Sequence, residues 1–116
     1  MKTDYWQQQN ERVEHIREFM INNLHQKINF QKLAREYGIT YKTLWRFFIT
    51  TYRQTPVAYV QHARMFHALY QLVFTSHTIR HIALSVAYKS ERNFITAFHR
   101  FFGFTPGYAR ETTTSN

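Results

Sequence analysis

Asn29-Phe30-Gln31-Lys32-Leu33-Ala34 and Thr78-Ile79-Arg80-His81-Ile82-Ala83 carry one pattern twice: cap, apolar, two polar, apolar, alanine. The match continues downstream. Gly38 is answered by Ala87, Thr40 by Ser90, Leu44 and Phe48 by Phe94 and Phe98, and Thr55-Pro56 by Thr105-Pro106. The offset is 49 residues from Asn29 to Thr78 and 50 from Thr55 to Thr105, so the second turn is longer by one residue. That many matches in order make the chain two copies of one helix–turn–helix unit.

Local signals around the repeat agree with helices. Val13, Ile16, Met20 and Leu24 recur at helical spacing, giving an amphipathic helix from about Glu11 to His25, after a polar, frayed start in which only Tyr5 and Trp6 are aromatic. Asn29 caps a short helix from Phe30 to Tyr37 that buries Phe30, Leu33 and Ala34, and Gly38 suits the left-handed residue just past its end. Thr40 caps a third helix from Tyr41 to about Thr51, with Leu44, Phe47 and Phe48 inward. Thr55-Pro56 opens a long helix running nearly to Ser76, with Tyr59, Val60, Ala63, Phe66, Leu69, Tyr70 and Val73 as its apolar stripe. The expected fold class is all-α: two homeodomain-like helix–turn–helix subdomains joined by a long linker helix. The expected boundaries are an extension over 1–10, a first subdomain over 11–54, the linker over 55–76, a second subdomain over 77–111 and a tail over 112–116.

Composition narrows the function classes. One hundred and sixteen residues are enough for one real core. Three glycines and two prolines are too few for a β-rich chain or a glycine-rich phosphate loop, and the lack of cysteine removes disulfides and thiolate metal sites. Apolar runs such as Phe47-Phe48-Ile49 are far too short to span a bilayer, and Met1-Lys2-Thr3 leads into polar residues, so neither membrane nor secretory signal is expected. The expected location is cytoplasmic, on the nucleoid when bound.

Charge is distributed unevenly. Residues 1–36 hold six Lys/Arg against five acids, whereas residues 37–110 hold nine against one, Glu91. A nearly acid-free basic tract repels itself until a polyanion relieves it, and duplex nucleic acid is the densest common polyanion. In each unit the second helix has one buried face and one outward face, and the major groove admits one α-helix. The outward positions are Tyr41, Lys42, Trp45, Arg46 and Ile49 in the first copy, and Glu91, Arg92, Ile95, Thr96, His99 and Arg100 in the second. A linker from Pro56 to Phe74 spans roughly 28 Å. Successive major-groove faces lie about 34 Å apart. Its length fits a monomer that reads two adjacent grooves.

The residues Leu33-Ala34, Gly38, Leu44-Trp45-Arg46-Phe47-Phe48, Thr55-Pro56-Val57-Ala58-Tyr59, Ile79 with Ile82-Ala83, Ala87-Tyr88-Lys89-Ser90, and Gly103-Phe104-Thr105-Pro106 resemble the DNA-binding domain of AraC/XylS-type transcription regulators. The resemblance covers about 80 residues, Asn29 to Arg110. It implies seven helices, sequence-specific binding of double-stranded promoter DNA, activation through RNA polymerase, and no cofactor. By position it implies base contacts from Lys42, Trp45 and Arg46 and from Glu91, Arg92, Asn93, Ile95 and Thr96. Backbone contacts are expected from Thr40, Tyr41, Arg53, Lys89, Ser90, His99 and Arg100. Four positions depart from the family pattern. Ala87 and Arg53 stand where glycine is usual, Ile49 replaces a basic residue, and Ala109 preceded by Tyr108 replaces an aromatic.

Other classes fare worse. His77 and His81 have the i, i+4 spacing of metal ligands but no acid or third histidine close in sequence, so the seven histidines read as solvated or phosphate-facing. Acids are few and no nucleophile has an evident base, so an enzyme is not expected. The rival is a basic interaction module that binds RNA or an acidic protein partner.

Overall fold

The computed structural model describes residues 2–114. Among them are seven helices and no strand: α1 (Lys2–Asn22), α2 (Phe30–Glu36), α3 (Tyr41–Tyr52), α4 (Pro56–Phe74), α5 (Ile79–Ser85), α6 (Glu91–Phe102) and α7 (Pro106–Thr114). Six of them begin on a side-chain cap. Asn29, Thr40, Thr55, Thr78, Ser90 and Thr105 each accept the backbone N–H three residues on, at 3.0–3.2 Å. Each such cap satisfies an amide that the helix itself leaves open, and is worth about 1 kcal/mol.

Helix α1 departs from its expected start near Glu11 by nine residues. The run Gln7-Gln8-Gln9-Asn10 is polar but contains no glycine or proline, and glutamine is a good helix former. The frayed start is corrected to continuous helix, which ends at Asn22, three residues before the expected end. There the amide of Asn23 bonds back to the Met20 carbonyl at 3.2 Å.

The chain forms two compact units, Met1–Asn23 with Ile28–Gln61, and Leu24–Lys27 with His62–Asn116. The core of unit 1 is Val13, Ile16 and Met20 of α1, Leu33 and Ala34 of α2, Ile39 of the turn, Leu44 and Phe48 of α3, and Val60 of α4. Tyr52 and Tyr59 pack on Phe48 and on each other, with ring centroids 4.8–5.2 Å apart. Burial pushes the Tyr52 phenol above its ordinary pKa. Unit 2 buries Met65, Ala68 and Leu72 of α4 against Ile82, Ala83, Val86, Phe94, Phe98 and Ala109. The small Ala34 and Ala83 side chains are buried, each on a short helix that packs against the helix that follows.

The stripe expected on α4 is corrected. Its buried apolar residues in unit 2 are Met65, Ala68 and Leu72, joined by the buried polar Gln71, while Phe66 and Tyr70 are more than half exposed. The helix is apolar on two sides, and i, i+4 spacing fits Phe66-Tyr70-Phe74 as well as the i, i+3, i+7 row that packs. Phe66 is therefore no core residue, and Phe30, expected to be buried in the short helix, is only half-buried. Phe47 is likewise half-buried rather than inward.

The turn inside each unit repeats with one difference. Gly38 (φ 78°) and Ala87 (φ 69°) are both left-handed. The next amide, of Ile39 or Tyr88, reaches back to the carbonyl of Ala34 or Ala83 at 3.0 and 2.9 Å. The extra residue of the second turn lies between this bond and the cap at Ser90.

Candidate nucleic-acid interface

Helices α3 and α6 are each held by one buried pair at i, i+4, Leu44 with Phe48 and Phe94 with Phe98. That anchoring fixes which side chains point away from the core. On α3, Lys42, Trp45 and Arg46 are exposed and Tyr41 is half-buried; Trp45 retains 41% of its surface, which is high for a large ring. On α6, Glu91, Arg92, Asn93, Thr96, His99 and Arg100 are exposed. Ile95 is corrected from an outward position: it is half-buried against the core of unit 2, because the apolar arc of α6 extends from Phe94 and Phe98 toward it. Ile49 is half-buried too, and its carbonyl accepts the Arg53 amide at 3.1 Å.

The expected phosphate-facing groups divide into two kinds. Thr40 and Ser90 already use their hydroxyl oxygens as caps, and Thr40 also donates to the Thr43 hydroxyl at 3.0 Å. Arg53, Lys89, His99 and Arg100 are exposed. Arg53 occupies a left-handed position (φ 60°) at the C-terminus of α3, so its backbone turns the chain while its side chain faces water.

Not every cation belongs to this surface. Arg64 donates to the carbonyls of Leu24 and Gln26 at 3.1 and 2.8 Å, and burial pulls its pKa below the ordinary value. Arg110 donates to the carbonyls of Leu72, Gln71 and Thr75, at the C-terminal end of α4, where open carbonyls and the helix dipole favour a cation. Arg12 donates to the Gly38 carbonyl at 3.2 Å. Arg17 pairs with Glu14 at 2.7 Å, a bond that together with Tyr59 raises its pKa. Sequence reasoning does not separate these clasps from surface charge. Of the nine cations between residues 37 and 110, seven are exposed: Lys42, Arg46, Arg53, Arg80, Lys89, Arg92 and Arg100.

The rings of His77 and His81 meet at a tilt of 56° with centroids 4.4 Å apart, and His77 Nδ1 lies 3.1 Å from the Gln71 side-chain oxygen. Among the described residues no group of three or more histidine or acidic side chains is placed to hold a metal, and no helix is long and apolar enough to cross a membrane. Sequence reasoning also missed the first turns of α1, where Trp6 approaches Phe47 of α3 at 6.0 Å between ring centroids. The signal was present: Trp6, Val13 and Met20 are spaced by seven, two helical turns apart.

Residues 33–112 match the helix-turn-helix domain family. The virulence regulon transcriptional activator VirF of Yersinia enterocolitica is 32% identical over 99 residues, 85% of this chain and 36% of VirF. The chain thus spans about a third of the length of that relative. The C-terminal domain of AraT, a response regulator from Geobacillus stearothermophilus, superimposes with a TM-score of 0.79 at 24% identity, covering 87% of this chain and 84% of that one. The DNA-binding domain of AdpA, solved in complex with a target DNA, superimposes with a TM-score of 0.80 at 17% identity, covering 89% and 93%. With its two capped helix–turn–helix units and its match over 33–112, the chain belongs to the helix-turn-helix domain family, as a DNA-binding domain of the AraC/XylS type of transcription regulator.

Proposed function

We propose that the chain reads promoter DNA as a monomer, with α3 and α6 in successive major grooves, and that it activates transcription through RNA polymerase. The observation that carries this reading is the exposed polar face of each second helix, Lys42-Trp45-Arg46 on α3 and Arg92-Asn93-Thr96 on α6, on a chain with seven exposed cations between residues 37 and 110. Lys42, Arg46, Arg92 and Asn93 are suited to base edges by their hydrogen-bonding groups, and Trp45 to a thymine methyl or a sugar edge. Glu91 can accept from a cytosine amine, and Thr96 can bond either base type. Thr40, Tyr41, Arg53, Lys89, Ser90, His99 and Arg100 are assigned to the phosphate backbone, where they set register. The reading parts lie within 11–54 and 77–111, with 55–76 as the connecting helix. The DNA-bound neighbour AdpA supports the duplex as target.

Selection from randomised duplex DNA tests the reading. The expected product is an asymmetric motif in two blocks about one helical turn apart. A pool that binds but shows no enrichment would overturn sequence-specific reading by this chain, and enrichment of a palindrome would overturn the monomer.

A further inference from the structure

We propose that unit 1 carries a small-molecule site beside its recognition helix, and that this site takes a planar aromatic carboxylate. Residues of α1 and α3 line a cleft of about 380 Å³. That size lies in the range, roughly 300–1,000 Å³, of sites that hold small organic molecules. Its apolar lining is aromatic. Trp6 stands 6.0 Å from Phe47 between ring centroids, and Tyr5 meets Trp6 edge-on at 5.4 Å. Tyr5 and Trp6 are both about half exposed, at 52% and 54%, so the protein core does not account for two large rings in an otherwise polar stretch.

The remaining lining defines the ligand's charge. Asn10, Thr43 and Thr50 supply amide and hydroxyl groups, and Arg46 supplies a guanidinium; no acidic side chain is among the lining residues. A flat ring system pairs with Trp6 and Phe47 by offset or edge-to-face packing. A carboxylate pairs with Arg46 through two parallel N–H···O bonds. A neutral aromatic forgoes that pairing, and an inorganic anion leaves the rings uncovered.

Occupancy has a consequence for α3. Arg46, Thr43 and Thr50 belong to that helix, so a ligand bound here and a base edge in the groove compete for one guanidinium. This competition rests on the DNA reading proposed above, whereas the site itself does not. If the two are mutually exclusive, ligand at ten times its own Kd raises the apparent Kd for DNA about 11-fold.

Calorimetry of the whole chain with 2-naphthoate, and with 2-naphthylmethanol as its neutral twin, tests the site without DNA. The expected result is one naphthoate per chain and an alcohol weaker by about tenfold, the equivalent of one charge-assisted contact. Trp6→Ala, at a half-exposed position, should keep its helical circular dichroism and lose naphthoate binding. Arg46→Gln should erase the difference between acid and alcohol. No heat from folded wild type up to millimolar naphthoate, or equal heat in Trp6→Ala, would overturn the site. In the second arm, naphthoate should weaken duplex binding in wild type and not in Trp6→Ala. Naphthoate bound with duplex affinity unchanged would overturn the competition.

Discussion

Ala87 takes up the left-handed conformation, φ 69°, at the place in unit 2 that Gly38 fills in unit 1 with φ 78°. A Cβ in this region crowds the following carbonyl and costs roughly 1–2 kcal/mol. The position is held because the Tyr88 amide bonds to the Ala83 carbonyl at 2.9 Å, as Ile39 does to Ala34. The two units therefore share a turn that only one of them fills with the residue best suited to it. The converse holds at the helix that follows, where Gly103 (φ 82°) ends α6 and Arg53 (φ 60°) ends α3.

Ala87→Gly is accordingly expected to stabilise the chain. Relief of the left-handed strain outweighs the added freedom of glycine in the unfolded chain, itself about 0.4–1 kcal/mol, and leaves a net gain of roughly 0.5–1 kcal/mol. Gly38→Ala should do the opposite by roughly 0.5–1 kcal/mol, because φ is unfavourable, while its Cβ would meet only the flexible end of Arg12, Nη1 at 3.3 Å. Urea unfolding midpoints check both, and an Ala87→Gly midpoint at or below wild type would refute the strain.

Much of this was legible in the sequence, for a physical reason. Caps, turn residues and the alanine at the helix crossing act within a few residues of themselves, so the repeat of Asn29 to Pro56 in Thr78 to Pro106 carries helix ends and turn positions directly. The faces of α4 were not legible, because Phe66, Tyr70 and Phe74 are as apolar as Met65, Ala68 and Leu72, and only tertiary packing chooses between the rows. For the same reason Arg64 and Arg110 could not be told from Arg92 and Arg100: the carbonyls that claim Arg64 and Arg110 lie 35 to 40 residues away in the chain.

The choice of face on α4 gives a direct comparison. Leu72→Ala removes a side chain that is 1% exposed and should cost about 2–5 kcal/mol. Tyr70→Gln changes one that is 59% exposed and should stay within about 0.5 kcal/mol of wild type. Thermal or urea unfolding would reject the assignment if the two losses were equal.

Arg110 and Arg100 should separate stability from binding. Arg110→Ala leaves the carbonyls of Leu72, Gln71 and Thr75 without their charged donor and is expected to lower stability by about 2 kcal/mol. Arg100→Ala should leave unfolding unchanged and, if Arg100 meets phosphate, flatten the slope of log K against log salt by about 1. A flattened slope in Arg110→Ala, measured under conditions where it is folded, would move Arg110 into the interface.

Arg46 gives the sharpest test of base reading. It follows Lys42 and Trp45 at helical spacing on the exposed face of α3, and among the described residues no hydrogen bond or ion pair ties it to the rest of the protein. Arg46→Ala should therefore leave unfolding unchanged, cost about 1–3 kcal/mol in binding to the selected duplex, and relax preference at one base pair in the block read by α3. A phosphate contact predicts something different: weakening by the same factor on every sequence, with a shallower salt dependence. Titrating the variant against the selected site and its single-base variants distinguishes the two, since only a base contact makes the penalty vanish where the cognate pair has already been changed.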